Sequence, residues 1–140
     1  MKQFPKMLKY KKNHKSNSSF LYKMEEKDFY TSFGEYGIQS LESCKIKYKE
    51  IESCRRTIKR GIKKLGYMWI KLFTNIPVYK KSLNSRMGKG KGNLKHWICR
   101  IRKGQILFEI SGLNLIKSFN VLSKSKTKLP VKTKIIKIIY

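Results

Sequence analysis

Residues 49–65, KEIESCRRTIKRGIKKL, predict an α-helix with one apolar side and one basic side. Apolar side chains recur every three or four residues, which is the spacing of a helix face that packs on a core. They are Ile51, Cys54, Ile58, Ile62 and Leu65. Glu52 stands four residues before Arg56, an arrangement that favours an ion pair. We expect Gly66 to end the helix, because glycine is common just beyond a helix C-terminus.

The other side of this helix is strongly basic. Its residues are Arg55, Arg56, Lys59, Arg60, Lys63 and Lys64. A face of this kind is usually only solvated. Because acidic residues are scarce elsewhere in the chain, we interpret it instead as a surface that contacts RNA.

The segments on either side of the helix predict strands. Short strands near 29–33 and 37–42 are expected to flank a glycine-containing turn. Residues 67–74, YMWIKLFT, predict a buried strand. Its aromatic residues are expected in the core rather than on a base-stacking surface; they are Tyr67, Trp69 and Phe73.

Residues 96–103 and 105–111 predict a hairpin that turns at Gly104, where a tight turn needs positive φ. With a two-residue loop, one face holds the pairs Ile101 with Ile106, Cys99 with Phe108, and Trp97 with Ile110. Cys99 is therefore expected to be a buried packing residue. His96 precedes the first strand and is expected to cap the adjoining loop or to contact RNA.

The C-terminal part predicts a second helix and a last strand. Residues 114–127 form the helix, with Asn114 as its N-cap and with an apolar side of Leu115, Phe119 and Leu122. Residues 131–139 predict the strand. The predicted fold is α+β, in one domain of residues 1–140. Within it, residues 1–27 form a basic arm and variable segment, and residues 28–140 form the folded core.

Residues 75–95 show no periodicity and predict a long loop, a kind of segment that is usually functional or disordered. Its centre alternates glycine with lysine, in Arg86, Met87, Gly88, Lys89, Gly90, Lys91 and Gly92. Glycine lets the backbone approach another surface closely, and the cations suit phosphate. The spacing matches neither the phosphate-binding loop of nucleotide hydrolases nor the dinucleotide-binding motif.

The charge of the chain calls for a polyanionic partner. With 34 Lys plus Arg against 8 Asp plus Glu, the formal charge is +26 in 140 residues. Such self-repulsion destabilises a free domain. The basic residues are spread along the chain, which favours nucleic acid, with a membrane surface as the second candidate. No apolar run reaches the roughly 18 residues of a membrane span.

Enzyme and metal chemistry find no support. The acidic residues form no pair placed for acid–base work, and the serines have no matching His and Asp partners. The three cysteines are odd in number and widely spaced, which predicts free thiols and no zinc site. We therefore predict no catalytic and no metal-ligating residues.

Two compositional features remain. The N-terminal residues 1–23 are basic with Tyr10 and His14 interleaved, and they predict either a solvated tail or an arm that orders on RNA. Alanine is absent, and Lys, Ile, Asn, Tyr, Phe and Met make up half of the chain. These six have AT-rich codons, which indicates an AT-biased genome such as that of an organelle or a reduced parasite.

Seven short motifs in the same order resemble the universal large-subunit ribosomal protein family L-sixteen, which is related to L-ten-e. They are KMLKYKKNHK (6–15), FGEYGI (33–38), IESCRR (51–56), WIKLF (69–73) with PV (77–78), RMGKGKG (86–92), LFEI (107–110) and KLPVKT (128–133). Residues 16–32 do not follow the family closely. Lys47 stands where the family usually has a Ser or Thr helix cap.

The resemblance implies two helices on a mixed, mostly antiparallel sheet with a hammerhead-like β element. It implies a structural protein, not an enzyme, near the central protuberance and the tRNA corridor. Its partners would be large-subunit rRNA, A-site and P-site tRNAs and neighbouring large-subunit proteins, with no membrane and no small-molecule substrate. Mg²⁺ would be bound only through rRNA, with no other cofactor.

Residues 86–92 would reach toward the peptidyl-transferase region and the tRNAs, and in bacterial members the arginine matching Arg86 can be hydroxylated. The predicted rRNA-binding residues are Lys6, Lys9, Tyr10, Lys11, Lys12, His14, Lys15, Arg55, Arg56, Lys59, Arg60, Lys63, Lys80, Lys81, Lys132 and Lys134. With the composition, the expected location is the mitochondrial ribosome, or a plastid-type organelle as the alternative. The competing function is an extra-ribosomal basic protein that binds RNA or a membrane surface.

Overall fold

A computed structural model describes residues 5, 9–10, 12–14 and 30–137, and in them the chain forms two helices and seven strands in two sheets. In chain order these are β1 (Tyr36–Ser40), β2 (Cys44–Lys47), α1 (Tyr48–Ile62), β3 (Tyr67–Ile70), β4 (Ile76–Lys80), β5 (Asn93–Ile101), β6 (Ile106–Ser111), α2 (Leu115–Lys126) and β7 (Thr133–Lys137). The predicted α+β class is confirmed. No helix in this described part is long and apolar enough to cross a bilayer.

The larger sheet has the strand order β3-β6-β1-β7, and its strand pairs are antiparallel. Its inner strands are buried along nearly their whole length: each residue of β1 is buried, as are residues 106–110 of β6. The smaller sheet has the order β2-β5-β4 and is also antiparallel. One core joins both sheets to the helices, through side chains such as Ile38, Phe108, Ile101 and Ile58.

The predicted hairpin of residues 96–103 and 105–111 is wrong. Its two strands exist as β5 and β6 and are connected at Gly104, whose φ is +90°. They belong to different sheets, however, and Phe108 lies opposite Ile38 and Ile70 rather than opposite Cys99. The connection is bonded to the end of β1, since Gly104 N donates to Ser40 O at 2.8 Å. Cys99 is buried, as predicted.

The predicted apolar stripe of α1 is confirmed, because Ile51, Cys54, Ile58 and Ile62 are buried. It ends at Ile62, four residues before the expected stop at Gly66, because Lys63 leaves the helical conformation with a φ of +55°. Leu65 therefore lies beyond the helix and is exposed. At the start, Lys47 is the N-cap residue, and its backbone N–H donates to the Glu50 carboxylate at 2.8 Å. This bond is the half of a capping box that the glutamate at the third helical position supplies.

Helix α2 begins after Asn114, as predicted, and packs on α1. Its predicted apolar side is wrong for Leu115 and Phe119, which are exposed. The buried face consists of Ser118, Val121, Leu122 and Ser125. The small serines allow the helix to lie close to its neighbours: Ser125 O accepts a bond from the Cys54 thiol at 3.6 Å.

The strand expected at 29–33 is absent from residues 30–33. Backbone N–H groups there donate to the buried Glu109 carboxylate of β6 instead of to a neighbouring strand. The distances are 3.1 Å from Ser32, 2.8 Å from Phe33 and 3.0 Å from Gly34. Residue 29 lies outside the described residues. The next prediction, residues 37–42, corresponds to β1.

Two further predictions need correction. Strand β3 covers only residues 67–70 at the edge of the larger sheet, so Tyr67 is 72% exposed, and Phe73, beyond the strand, is also exposed; neither is a core residue. The loop expected at 75–95 contains β4 and the start of β5, which leaves residues 81–92 between them. The last strand is β7 (Thr133–Lys137), and residues 138–139 of the predicted range 131–139 lie outside the described residues.

Candidate nucleic-acid interface

The segment between β4 and β5 presents an exposed basic turn. Gly88, Lys89 and Gly90 have φ values of +89°, +52° and +77°, a left-handed conformation that glycine adopts at low cost. The space around Gly88 and Gly90 is open to 4 Å. Gly92 is glycine for another reason, since a Cβ there would lie 2.5 Å from the carbonyl carbon and oxygen of Lys80.

The described part of the N-terminal arm is bonded to this segment. Lys12 Nζ donates to Lys91 O at 2.9 Å, and Lys91 Nζ donates in return to Asn13 O. Asn13 N also donates to the Tyr79 hydroxyl at 3.1 Å, and Lys91 Nζ lies 4.6 Å from the centroid of the Tyr79 ring. The arm, β4 and the glycine–lysine segment therefore form one surface, a neighbourhood that their sequence separation did not suggest.

Not every predicted cation on this surface is equally available. Lys91 is engaged as described, and Lys81 Nζ donates to Gly88 O across the turn. Arg86 and Lys89 are exposed side chains on the turn, and Met87 beside them is 96% exposed. Lys81 and Lys91 therefore help to hold the conformation of the segment, whereas Arg86 and Lys89 are exposed to solvent.

On α1, Glu52 holds two of the predicted RNA-binding arginines. Arg55 donates to both Glu52 oxygens at 2.7 and 2.8 Å, and Arg56 Nε donates to Oε1 at 3.1 Å. The hydrogen bonds from Arg55 and Arg56 lower the pKa of Glu52 from 4.5 to about 2. The predicted pair of Glu52 with Arg56 is confirmed, but Arg55 binds the carboxylate more closely.

Most of the other predicted RNA-binding residues are exposed. They are Lys9, Tyr10, Lys12, His14, Arg56, Lys59, Arg60, Lys63, Lys80, Lys132 and Lys134. Lys132 lies 3.4 Å from the Glu42 carboxylate, in an exposed ion pair worth little. Lys6, Lys11 and Lys15 lie outside the described residues.

A groove of about 470 Å³ lies on the outer face of the smaller sheet. We call it the sheet groove; its lining comprises Asn13, His14, Lys45, Lys47, Ile76, Pro77, Val78, Tyr79, Lys91, His96, Ile98 and Arg100. Lys45, Lys47 and Arg100 were not predicted as binding residues. The alternation of half-buried Cys44 and buried Ile46 with exposed Lys45 and Lys47 was the available signal, because it assigns the lysines to the outer face of a strand.

The cysteines are free, as expected. Burial raises the pKa of the Cys54 thiol to about 12 and, together with Glu50, that of Cys44 to about 11. Such thiols are inert at neutral pH. Across residues 5, 9–10, 12–14 and 30–137, no group of His, Cys, Asp and Glu side chains is arranged to hold a metal ion.

Comparison with known proteins gives the class first: the matching proteins are constituents of the large ribosomal subunit. The chain is 38% identical over 133 residues, 95% of each chain, to the large ribosomal subunit protein uL16 of Leptospira biflexa serovar Patoc. It is also 38% identical over 129 residues, 92% of each chain, to uL16 of Buchnera aphidicola subsp. Cinara cedri. The family model of ribosomal protein L16p/L10e matches residues 5–136. The chain belongs to this family.

Membership confirms the resemblance seen in the sequence motifs. It also agrees with the prediction of a structural protein rather than an enzyme, since the family and its matched members are ribosomal proteins. The protein is therefore a ribosomal protein of the large subunit.

Proposed function

We propose that this protein binds large-subunit rRNA through its basic arm, the basic face of α1 and four lysines at the end of β4 and the start of β7, and that residues 86–92 approach the tRNAs near the peptidyl-transferase region. The four lysines are Lys80, Lys81, Lys132 and Lys134. The observation that carries the proposal is the exposed, glycine-shaped turn with Arg86 and Lys89 directed to solvent. In a chain of charge +26, cations that are not used internally fit a phosphate backbone. No cofactor is part of this proposal beyond Mg²⁺ carried by the rRNA.

The arm supports the rRNA part of the proposal. Lys12 and Lys91 bond to each other's segments, so the arm and the turn present their charges together. The ammonium groups of these neighbouring segments have the same charge and repel, and an RNA phosphate bound beside them would offset the repulsion. The A-site and P-site tRNAs are the proposed ligands of the turn itself.

The test is Arg86→Ala, with Lys124→Ala as a control that removes the same charge from an exposed position on α2. We expect Arg86→Ala to slow peptide synthesis by assembled ribosomes by about tenfold, as loss of one hydrogen bond between charged groups would, while its occupancy in large subunits stays close to that of the control. Unchanged synthesis rates would refute the tRNA-proximal role. Loss of occupancy without a further translation defect would assign Arg86 to assembly instead.

We propose the mitochondrial ribosome as the site of action, with a plastid-type organelle as the alternative. The support is compositional: alanine is absent and residues with AT-rich codons dominate. The two compared relatives are bacterial. Sedimentation of ribosomes from purified organelles tests the proposal, and recovery of the chain only in ribosomes from outside organelles would refute it. Recovery free of ribosomes at low salt would favour the extra-ribosomal alternative.

A further inference from the structure

The sheet groove brings four cationic side chains over an apolar floor. Lys45 of β2 lies directly opposite Arg100 of β5 in the strand register. Like charges in this position destabilise a strand pair. Lys47 and Lys91 add two more charges to the lining, and no carboxylate lines the groove among the described residues. The charge pattern calls for an anionic occupant.

The floor of the groove is apolar. Ile98 of β5 pairs with Ile76 of β4, and His96 pairs with Val78. A β-bulge between Val78 and Tyr79 breaks the alternation, so both consecutive residues line the groove. Ile98 is buried, whereas Ile76 and Val78 remain partly exposed. This floor would stay in contact with water unless an apolar or aromatic surface covered it.

The groove is closed on one side by the arm. Asn13 and His14 are part of the lining, and Asn13 is bonded to Tyr79 and Lys91. The resulting volume of about 470 Å³ lies in the usual range for small-molecule sites, about 300–1,000 Å³. It is a cleft for one flat group with a negative charge rather than an open surface for a long polyanion.

We propose that the sheet groove binds an unpaired nucleotide of the large-subunit rRNA, with its base over Ile76, Val78 and Ile98 and its phosphate between Lys45 and Arg100. This inference rests on the proposed function and adds a specific site to it. A duplex would offer phosphates to the cations but no base face to the floor, because its bases are stacked inside. An unpaired nucleotide satisfies both parts of the groove, because its exposed base can cover the apolar floor while its phosphate meets the cations.

His96 fits the same occupant. Burial and the nearby Lys47 and Lys95 ammonium groups lower the pKa of His96, so its ring is neutral near pH 7. A neutral imidazole both donates and accepts a hydrogen bond, which suits the edge of a base.

The experiment is base-specific chemical probing of rRNA in large subunits that carry the native chain or a variant. Val78→Glu places a negative charge on the floor, and the pair Lys45→Gln with Arg100→Gln removes the two opposed cations. The pair Lys124→Gln with Lys128→Gln is the control, since both lysines are exposed and lie outside the groove lining. Subunit occupancy of each chain is measured in parallel.

We expect Val78→Glu to bind the subunit and to raise the reactivity of one or two unpaired rRNA bases by about tenfold, because the base loses its apolar cover. The double variant Lys45→Gln, Arg100→Gln should raise the reactivity of the same bases, and the control variant Lys124→Gln, Lys128→Gln should raise the reactivity of none. If the Val78→Glu chain does not assemble into subunits, the result for the double variant Lys45→Gln, Arg100→Gln tests the proposal instead. Unchanged reactivity with full occupancy, a change confined to paired bases, or a change seen only when tRNA is bound would overturn the inference. Absence of the native chain from large subunits would instead refute the proposed function.

Discussion

Gly61 of α1 lies where the two helices meet, and its replacement by alanine tests which of two opposing effects is larger. A Cβ at Gly61 would lie 2.6 Å from Cγ2 and 2.9 Å from Cγ1 of Val121 on α2. Both methyl groups are too close, and Cβ of Val121 is only 3.2 Å away, so rotating the valine side chain gives no relief. The two helices must therefore separate to make room for the new methyl group.

The magnitudes favour destabilisation. Alanine in place of glycine inside a helix contributes about 1 kcal/mol of stability. Overpacking a filled core costs about 1–3 kcal/mol. We therefore expect Gly61→Ala to lower the free energy of unfolding by about 1 kcal/mol. For a chain of 140 residues, this corresponds to a fall in Tm of about 3–5 °C.

The assay is denaturant unfolding of the isolated chain, followed by tryptophan fluorescence in enough salt to screen its charge. Val121→Ala alone is expected to cost about 2 kcal/mol through lost burial and a cavity. The double variant should recover part of both losses, because the new methyl group enters the space left by the valine. A more stable Gly61→Ala protein, or strictly additive losses, would refute the argument from packing.

Three further outcomes follow from buried or paired groups. Glu109→Gln should cost about 2 kcal/mol in the same assay, because one carboxylate oxygen that accepts backbone N–H bonds is lost; Glu42→Gln, at an exposed acid, is the control. The pKa of Glu52 is lowered from 4.5 to about 2, so its stabilising effect is complete above pH 4.5 and is lost as the pH falls to 2. Glu52→Gln should flatten the stability curve in that window, and an unchanged curve would contradict the ion pair. Alkylation should modify Cys44 before Cys54; equal rates in the native and unfolded chains would show that burial does not protect Cys54.

Local patterns in the sequence were enough to find α1. Its apolar stripe is confirmed because four buried side chains at helical spacing leave little choice of face. Its end was misplaced, because Lys63 adopts a positive φ that favours glycine, and no rule based on residue type would select a lysine for it. Likewise, β4 was overlooked because Pro77 and the bulge at Tyr79 disturb the alternation of a strand.

Strand partners could not be derived in the same way. Both β5 and β6 are strands where the sequence predicts them, and Gly104 does turn the chain between them. Alternation shows which side of a strand is buried, but not which strand lies next to it. The choice is made by contacts with β1 and β2, which are distant in sequence.

The candidate interface was predicted by type of residue rather than by arrangement. Exposed cations such as Arg86, Lys89 and Lys59 are where the composition and motifs implied. The contact of the arm with Tyr79 and Lys91 depends on tertiary structure and left no local signal. The roles of these residues in RNA binding are predictions, which the experiments on Arg86 and on the sheet groove test.

The position of β1 has a consequence for the order of folding. This strand is made early, yet both of its neighbours in the sheet, β6 and β7, are made late, and Tyr36 finally lies opposite Ile110 and Lys137. During synthesis β1 therefore leaves the ribosome before the strands that pair with it exist. This delay slows folding and leaves apolar surface exposed. The larger sheet is complete only in chains that have been synthesised through β7. Its completion thus distinguishes finished copies from nascent ones before they join a particle.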